Sequence, residues 1–168
     1  MGVFTFGYSK IEMGAIAVDG GMSTTLAEIG FTYKDTASMV ESPATATPHK
    51  KEGTDRPILM TKEIGDTTVK FSIMDPDATL YGSLKGGTLS GTSPNVWASP
   101  SAGPSVEQSL KLTSEAGIVW AFPRVAVDAV FNQKLARSGI NLLEVTCLVM
   151  APTKLNTYAI NATDPIVV

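Results

Sequence analysis

GIVWAFPRVAVDAVF (residues 117–131) and GINLLEVTCLVMAP (139–152) are two apolar, β-branched runs on either side of a polar turn over 132–138. A segment that is apolar on both faces needs cover on both sides. These two therefore read as central strands of a sheet that is covered by other elements or by other copies of the chain. Within them Ile118, Trp120 and Phe122, then Val125, Val127, Ala129 and Phe131, repeat with period two. Leu143, Val145, Cys147 and Val149 oppose Leu142, Glu144, Thr146, Leu148 and Met150.

The same alternation, the mark of half-buried strands, runs outward along the chain. Val106, Gln108, Leu110 and Leu112 oppose Glu107, Ser109, Lys111 and Thr113, and Val69, Phe71 and Ile73 oppose Thr68, Lys70 and Ser72. Residues 31–39 read as a further strand, and 15–18 as an early one. One helix is signalled at about 76–85: Asp75 as cap, Pro76 in the first turn, Asp77 at the positive end of the dipole, Leu80 and Leu84 on one face, and Gly86-Gly87 as the stop. The run 24–29 also admits a short helix. The alternation and the single helix signal make the expected fold mainly β, with one short helix covering a face or end of the sheet.

Two stretches carry little core. ESPATATPHKKEGTDRP (41–57) holds three prolines and mixed charge, and is expected to be extended or mobile in an isolated monomer. SGTSPNVWASPSAGPS (90–105) is rich in turn residues but contains Trp97, which is expected to dock back onto the domain or onto a neighbour. Both are read as partner-contacting loops, and 1–12 as an N-terminal segment.

A chain of 168 residues is most economically one domain. Its single cysteine, Cys147, sits among Val145, Leu148 and Val149 and reads as a small buried hydrophobe. A formal charge of −3, with no basic run longer than Lys50-Lys51, lacks the concentrated positive surface that tight nucleic-acid binding needs. The first residues lack the basic region and unbroken apolar core of a secretory signal, and Phe6 stands where a myristoylation motif wants Ser or Thr. No apolar run approaches the roughly 20 residues that span a bilayer. The expectation is a soluble chain without a membrane partner.

Chemistry is poorly signalled. The one histidine, His49, lies beside Lys50 and Lys51 with no second His, so it reads as a solvated side chain. Asp66, Asp75 and Asp77 are too sparse for a calcium loop and are better explained by capping. Gly86, Gly87 and Gly91 form no phosphate-binding pattern, and Asn161-Ala162-Thr163 reads as a chance match to a glycosylation acceptor. Trp97 and Trp120 would be needed together for a sugar-stacking platform, yet Trp120 has the setting of a core residue. No enzyme, cofactor or metal is expected.

Taken in order, the strand, helix and stop TTVKFSIMDPDATLYGSLKGG (67–87), the loop KKEGTDRPI (50–58) and the two long runs at 117–131 and 139–152 resemble the major tail tube proteins of tailed bacteriophages. The resemblance covers roughly residues 10–155. It implies a β-sandwich or barrel-like subunit, six copies to a ring, and rings stacked into a hollow tube through which the genome passes without specific binding. It also implies assembly in the host cytoplasm, a final place in the virion, and other tail proteins as partners. On this resemblance Phe4, Phe6, Tyr8, His49, Lys51, Glu52, Asp55, Arg56 and Trp97 are the expected contacts between subunits or rings. Glu107, Asp128 and Glu144 are the expected acids of the bore, although each has a basic alternative partner in Lys111, Arg124 or Lys134. The rival readings are another β-rich viral assembly protein, such as a capsid decoration or tail terminator protein, and a carbohydrate-binding sandwich that uses Trp97.

Overall fold

In a computed structural model that describes residues 7–165, the chain is mainly antiparallel β-structure with one short helix. In order the elements are β1 (Lys10–Gly14), β2 (Ala27–Glu28), β3 (Ser38–Glu41), β4 (Thr45–Lys50), β5 (Pro57–Glu63), β6 (Thr67–Ile73), α1 (Ala78–Lys85), β7 (Thr88–Ser90), β8 (Val96–Ala98), β9 (Val106–Thr113), β10 (Val119–Asn132), β11 (Leu142–Val149) and β12 (Asn161–Thr163). The main sheet has the order β2-β1-β9-β10-β11-β6-β3, and β12 adds to β10. The pairs β4-β5 and β7-β8 stand apart from it.

The two runs that open the sequence form the centre of this sheet. β10, at 14 residues, outreaches any single neighbour. On one flank it pairs with β12 over Val119, Trp120 and Ala121 and then with β11 from Val125 to Asn132; on the other it pairs with β9. Between Phe122 and Val125 the register against β9 slips by one residue. Pro123 sits in this bulge, where its missing N–H costs no ladder bond, and its carbonyl accepts from the buried Ser109 hydroxyl at 2.7 Å.

The sheet curls until its ends meet. Residues 27–33 hydrogen-bond first to β1 and then to β6. Ala27 and Glu28 pair with Met13 and Glu12, and Ile29 N donates to Ile11 O at 3.2 Å. Beyond Gly30, Thr32 bridges Ile73, Tyr33 N donates to Ser72 O at 2.7 Å, and Met74 N donates to Phe31 O at 2.9 Å. Gly30 makes the crossing possible. Its φ is 46°, and a Cβ there would lie 2.6 Å from Asp75 Oδ1. The enclosed core draws on β1, β9, β10, β11 and β6: Ile11 and Met13, Leu110, Phe122 and Val125, Val145 and Cys147, Phe71 and Ile73, with Ile29 at the closure and Leu84 from the helix.

The helix begins two residues later than the sequence suggests. Asp77 is the cap and accepts from Leu80 N at 2.7 Å, while Asp75 instead accepts from Phe31 N at 2.6 Å and ties the closure segment to the end of β6. The early strand lies at Lys10–Gly14 and not at 15–18, which is loop, so the 1–12 segment already enters the sheet. The run 24–29 contains β2 in place of a helix. The 31–39 strand is interrupted: Asp35 has a φ of 61°, turning the chain before β3 starts at Ser38.

Cover on both sides is not met among the described residues. Val125, Val127 and Ala129 are buried, but Asp128 and Val130 on the opposite side of β10 are exposed, as are Glu144 and Leu148 on β11. Phe71, 1 % exposed at the centre of the barrel, is the sharpest probe of the core. Phe71→Ala should lower folding stability by about 3–5 kcal/mol, read as a reduced urea midpoint. A loss below about 1 kcal/mol would contradict a closed, well-packed interior.

A projecting ribbon and an uncovered sheet face as the candidate interface

Strands β4 and β5 form an ordered hairpin, so the 41–57 segment is not a structureless loop: 45–50 is a strand, and its partner strand follows at 57–63. Every residue of both strands is exposed, and among the described residues the two strands pack against each other and against no other element. The hairpin is also not a separate unit. β3 pairs Glu41 with Thr67, Ser42 N donates to Asp66 O at 2.9 Å, and β4 pairs Thr45 with Glu63. Three residues separate the ladders on each leg, 42–44 and 64–66, so one register runs from the barrel wall out into the hairpin. Pro43, with no N–H to give, stands opposite Gly65 where the ladder breaks.

This ribbon carries most of the expected contact residues. His49 lies on β4 with Nε2 3.2 Å from Thr61 Oγ1, and Lys51, Glu52, Asp55 and Arg56 form the exposed tip around Gly53, whose φ is 81°. Sequence reasoning missed the apolar side chains beside them. Ile58, Leu59, Met60 and Ile64 are 50–87 % exposed, and Val40 is 62 % exposed on the barrel end of the same ribbon. The signal was present in PILMTKE (57–63), an apolar run directly after a turn-forming KEGTD. A two-stranded ribbon bare on both faces is marginal in water, and exposed apolar groups on it want a covering surface.

The second feature is the outward face of the main sheet. The cross-strand pairs place Glu107, Asp128 and Glu144 on this face, with Arg124, Lys70, Lys111 and Glu12. Their charges are not equally free. Glu107 is held by Arg124 in a two-pronged pair, Oε2 to Nε at 2.8 Å and Oε1 to Nη2 at 2.9 Å. Glu12 bridges Lys10 at 2.8 Å and Lys111 at 3.1 Å. Asp128 and Glu144 are exposed, and among the described residues neither lies in an ion pair; Glu144 accepts from Asn132 Nδ2 at 2.6 Å. The hydrogen bonds from Arg124 keep the Glu107 carboxyl below the usual carboxylate range, and those from Lys10 and Lys111 do the same for Glu12.

Trp97 is committed to its own domain. Its indole Nε1 donates to Gly86 O at 2.8 Å, satisfying a carbonyl at the end of α1, and its ring meets Tyr81 at 5.4 Å and Phe131 at 5.9 Å. The 90–105 segment is accordingly not all loop, since 96–98 is β8, paired with β7. Trp120 stands eleven residues from Phe131 along β10, about 35 Å at the rise of a strand, so the two tryptophans share no platform. Tyr8 packs against the core and lines, with Trp120, Leu112 and Met39, an open hollow of about 540 Å³. Phe4 and Phe6 lie outside the described residues.

Reactive groups are not gathered. Burial pushes the Cys147 thiol up to about 12, which removes the thiolate a nucleophile requires. Asp75 and Asp77 are occupied by backbone N–H groups, and among the described residues no group of three His, Cys, Asp or Glu side chains is placed to hold a metal ion. No helix among them is long and apolar enough to cross a membrane. No protein-family model matches the chain, and no curated protein is significantly similar to it in sequence.

The Glu107–Arg124 pair gives a pH signature. Because the folded-state value is depressed, its contribution is present above the ordinary glutamate value of 4.5 and is lost as pH falls below it through the folded value. Glu107→Gln should therefore be less stable than wild type at neutral pH, with the two urea midpoints converging in acid. A difference that persists unchanged through the acid range would show that the pair is not its source.

Proposed function

We propose that this chain is a non-enzymatic structural subunit that assembles with copies of itself, as the tail tube subunit of a tailed bacteriophage. The observation that carries this reading is the β4-β5 ribbon, continuous with the barrel wall, exposed on both faces, and bearing Ile58, Leu59, Met60 and Ile64 with nothing among the described residues to cover them. Apolar groups of this kind are better satisfied against a partner, and a ribbon offered by one copy to a different site on the next gives a head-to-tail contact that closes into rings or propagates as a filament. The apolar and charged residues of the ribbon supply affinity and register respectively.

The uncovered sheet face fits the wall of a channel. Asp128 and Glu144 present negative charge with no ion-pair partner among the described residues, the Glu107–Arg124 pair is neutral, and the Glu12–Lys10–Lys111 group carries one surplus positive charge. Such a surface offers phosphates no concentrated positive field to adhere to, which suits passage of duplex DNA without binding. Within this reading Glu107 serves to order β9 against β10, and the unpaired acids of the bore are Asp128 and Glu144, set against Lys70 and the surplus lysine charge beside Glu12.

The legs of the ribbon are in contact at Ser42 and Gly65, so residues 44–64 can be replaced by a short Gly-Ser linker without disturbing β3 or β6. The shortened chain should unfold cooperatively like wild type but remain a monomer by sedimentation at concentrations where the full chain associates. Association equal to that of the full chain would overturn the role given to the ribbon.

A further inference from the structure

We propose that Gly65 is a positioning residue that locks the β4-β5 ribbon to the barrel as a rigid spar, so that the direction in which the ribbon meets a partner is fixed before any contact is made. The inference rests on the assembly reading for its purpose, though not for its geometry. A Cβ built on Gly65 would lie 1.9 Å from Ser42 O, 2.6 Å from Ser42 C and 3.0 Å from Pro43 O. All three are backbone atoms, which cannot swing aside as the end of a flexible side chain would. The φ of Gly65 lies outside the left-handed region, unlike that of Gly53 at the tip. No positive-φ strain stands against a side chain there. Only the close approach of the opposite leg excludes a side chain.

The surrounding bonds make this crossing a clamp. On the barrel side Glu41 pairs with Thr67, and Ser42 N donates to Asp66 O at 2.9 Å; on the outer side Thr45 pairs with Glu63. The two legs are therefore held in register immediately before and after Gly65, with Pro43 adding a fixed φ at the crossing. A hinge needs a few residues free to absorb large φ/ψ changes, and this neck has paired backbone on both sides of each leg. Pre-set orientation limits the ordering cost of docking, because the ribbon does not have to be recruited from many directions. A side chain at residue 65 would force the legs apart and re-aim the ribbon while leaving the barrel closed.

Pulsed electron–electron distance measurement on the monomer tests this. Spin labels would be placed at Glu52→Cys on the tip and Asp128→Cys on β10. Cys147 is buried, with its thiol pushed up to about 12, and does not compete for the label. A single narrow distance distribution is expected for the wild-type neck. Gly65→Ala should displace the mean by more than the width of that distribution, whereas Gly103→Ala, where a Cβ meets nothing within 4 Å, should leave it in place. A broad wild-type distribution, which needs no substitution at the neck, would overturn the proposal, and so would a Gly65→Ala distribution that coincides with wild type. Assembly enters neither readout. A rigid neck in a chain that never associates contradicts the assembly reading alone, and a slack neck in a chain that does associate contradicts this inference alone.

Discussion

The fold depends on one segment that satisfies two sheet edges. Residues 27–33 donate and accept along β1 at one end and along β6 at the other, and Gly30 lets the backbone cross between them. Without that crossing the main sheet would have open edges at β1 and at the Ile73 end of β6, each a template for uncontrolled pairing. With it, the inward side chains of six segments converge on Phe71, Phe122 and Leu110 and bury them almost completely. Closure also fixes where β3 lies, and hence where the ribbon leaves the barrel.

From this follows a division of the surface. The barrel's interior is satisfied by its own chain, and its ion pairs are concentrated where β1, β9 and β10 meet. Four large apolar side chains, Ile58, Leu59, Met60 and Ile64, are exposed together on the ribbon, while others such as Val18, Phe31, Leu135, Leu155 and Tyr158 are exposed elsewhere. On the assembly proposed above, a chain whose core is complete while one extension is bare would have its folding and its partner contacts in different places. Subunits of this kind can fold first and associate afterwards.

The central strands were legible because their alternation is long and their burial is decided by the sheet itself: Val125, Val127, Val145 and Cys147 are where period two puts them. The helix was legible to within a cap residue, since Asp75 and Asp77 are both good caps and only the tertiary bond from Phe31 N decides which is free to act. Short elements failed for a related reason. β2 and β3 exist only because neighbours pair with them, and a two- or four-residue strand carries no periodicity of its own. The ribbon failed because proline, lysine and glycine in 41–57 read as loop, although an extended strand that faces solvent on both sides has the same composition. Likewise the acid at Glu107 could be placed on the outward face from its alternation, but its neutralisation by Arg124 needed the bulge at Pro123 to bring the two side chains together.

The central claim is that the ribbon and the outward sheet face of one copy are completed by other copies of the same chain. Negative-stain electron microscopy of the purified chain, before and after prolonged concentration, tests it most directly. The account predicts rings or hollow tubes whose abundance rises with concentration. Isolated globular particles at every concentration, with the ribbon intact by proteolysis and mass measurement, would contradict it.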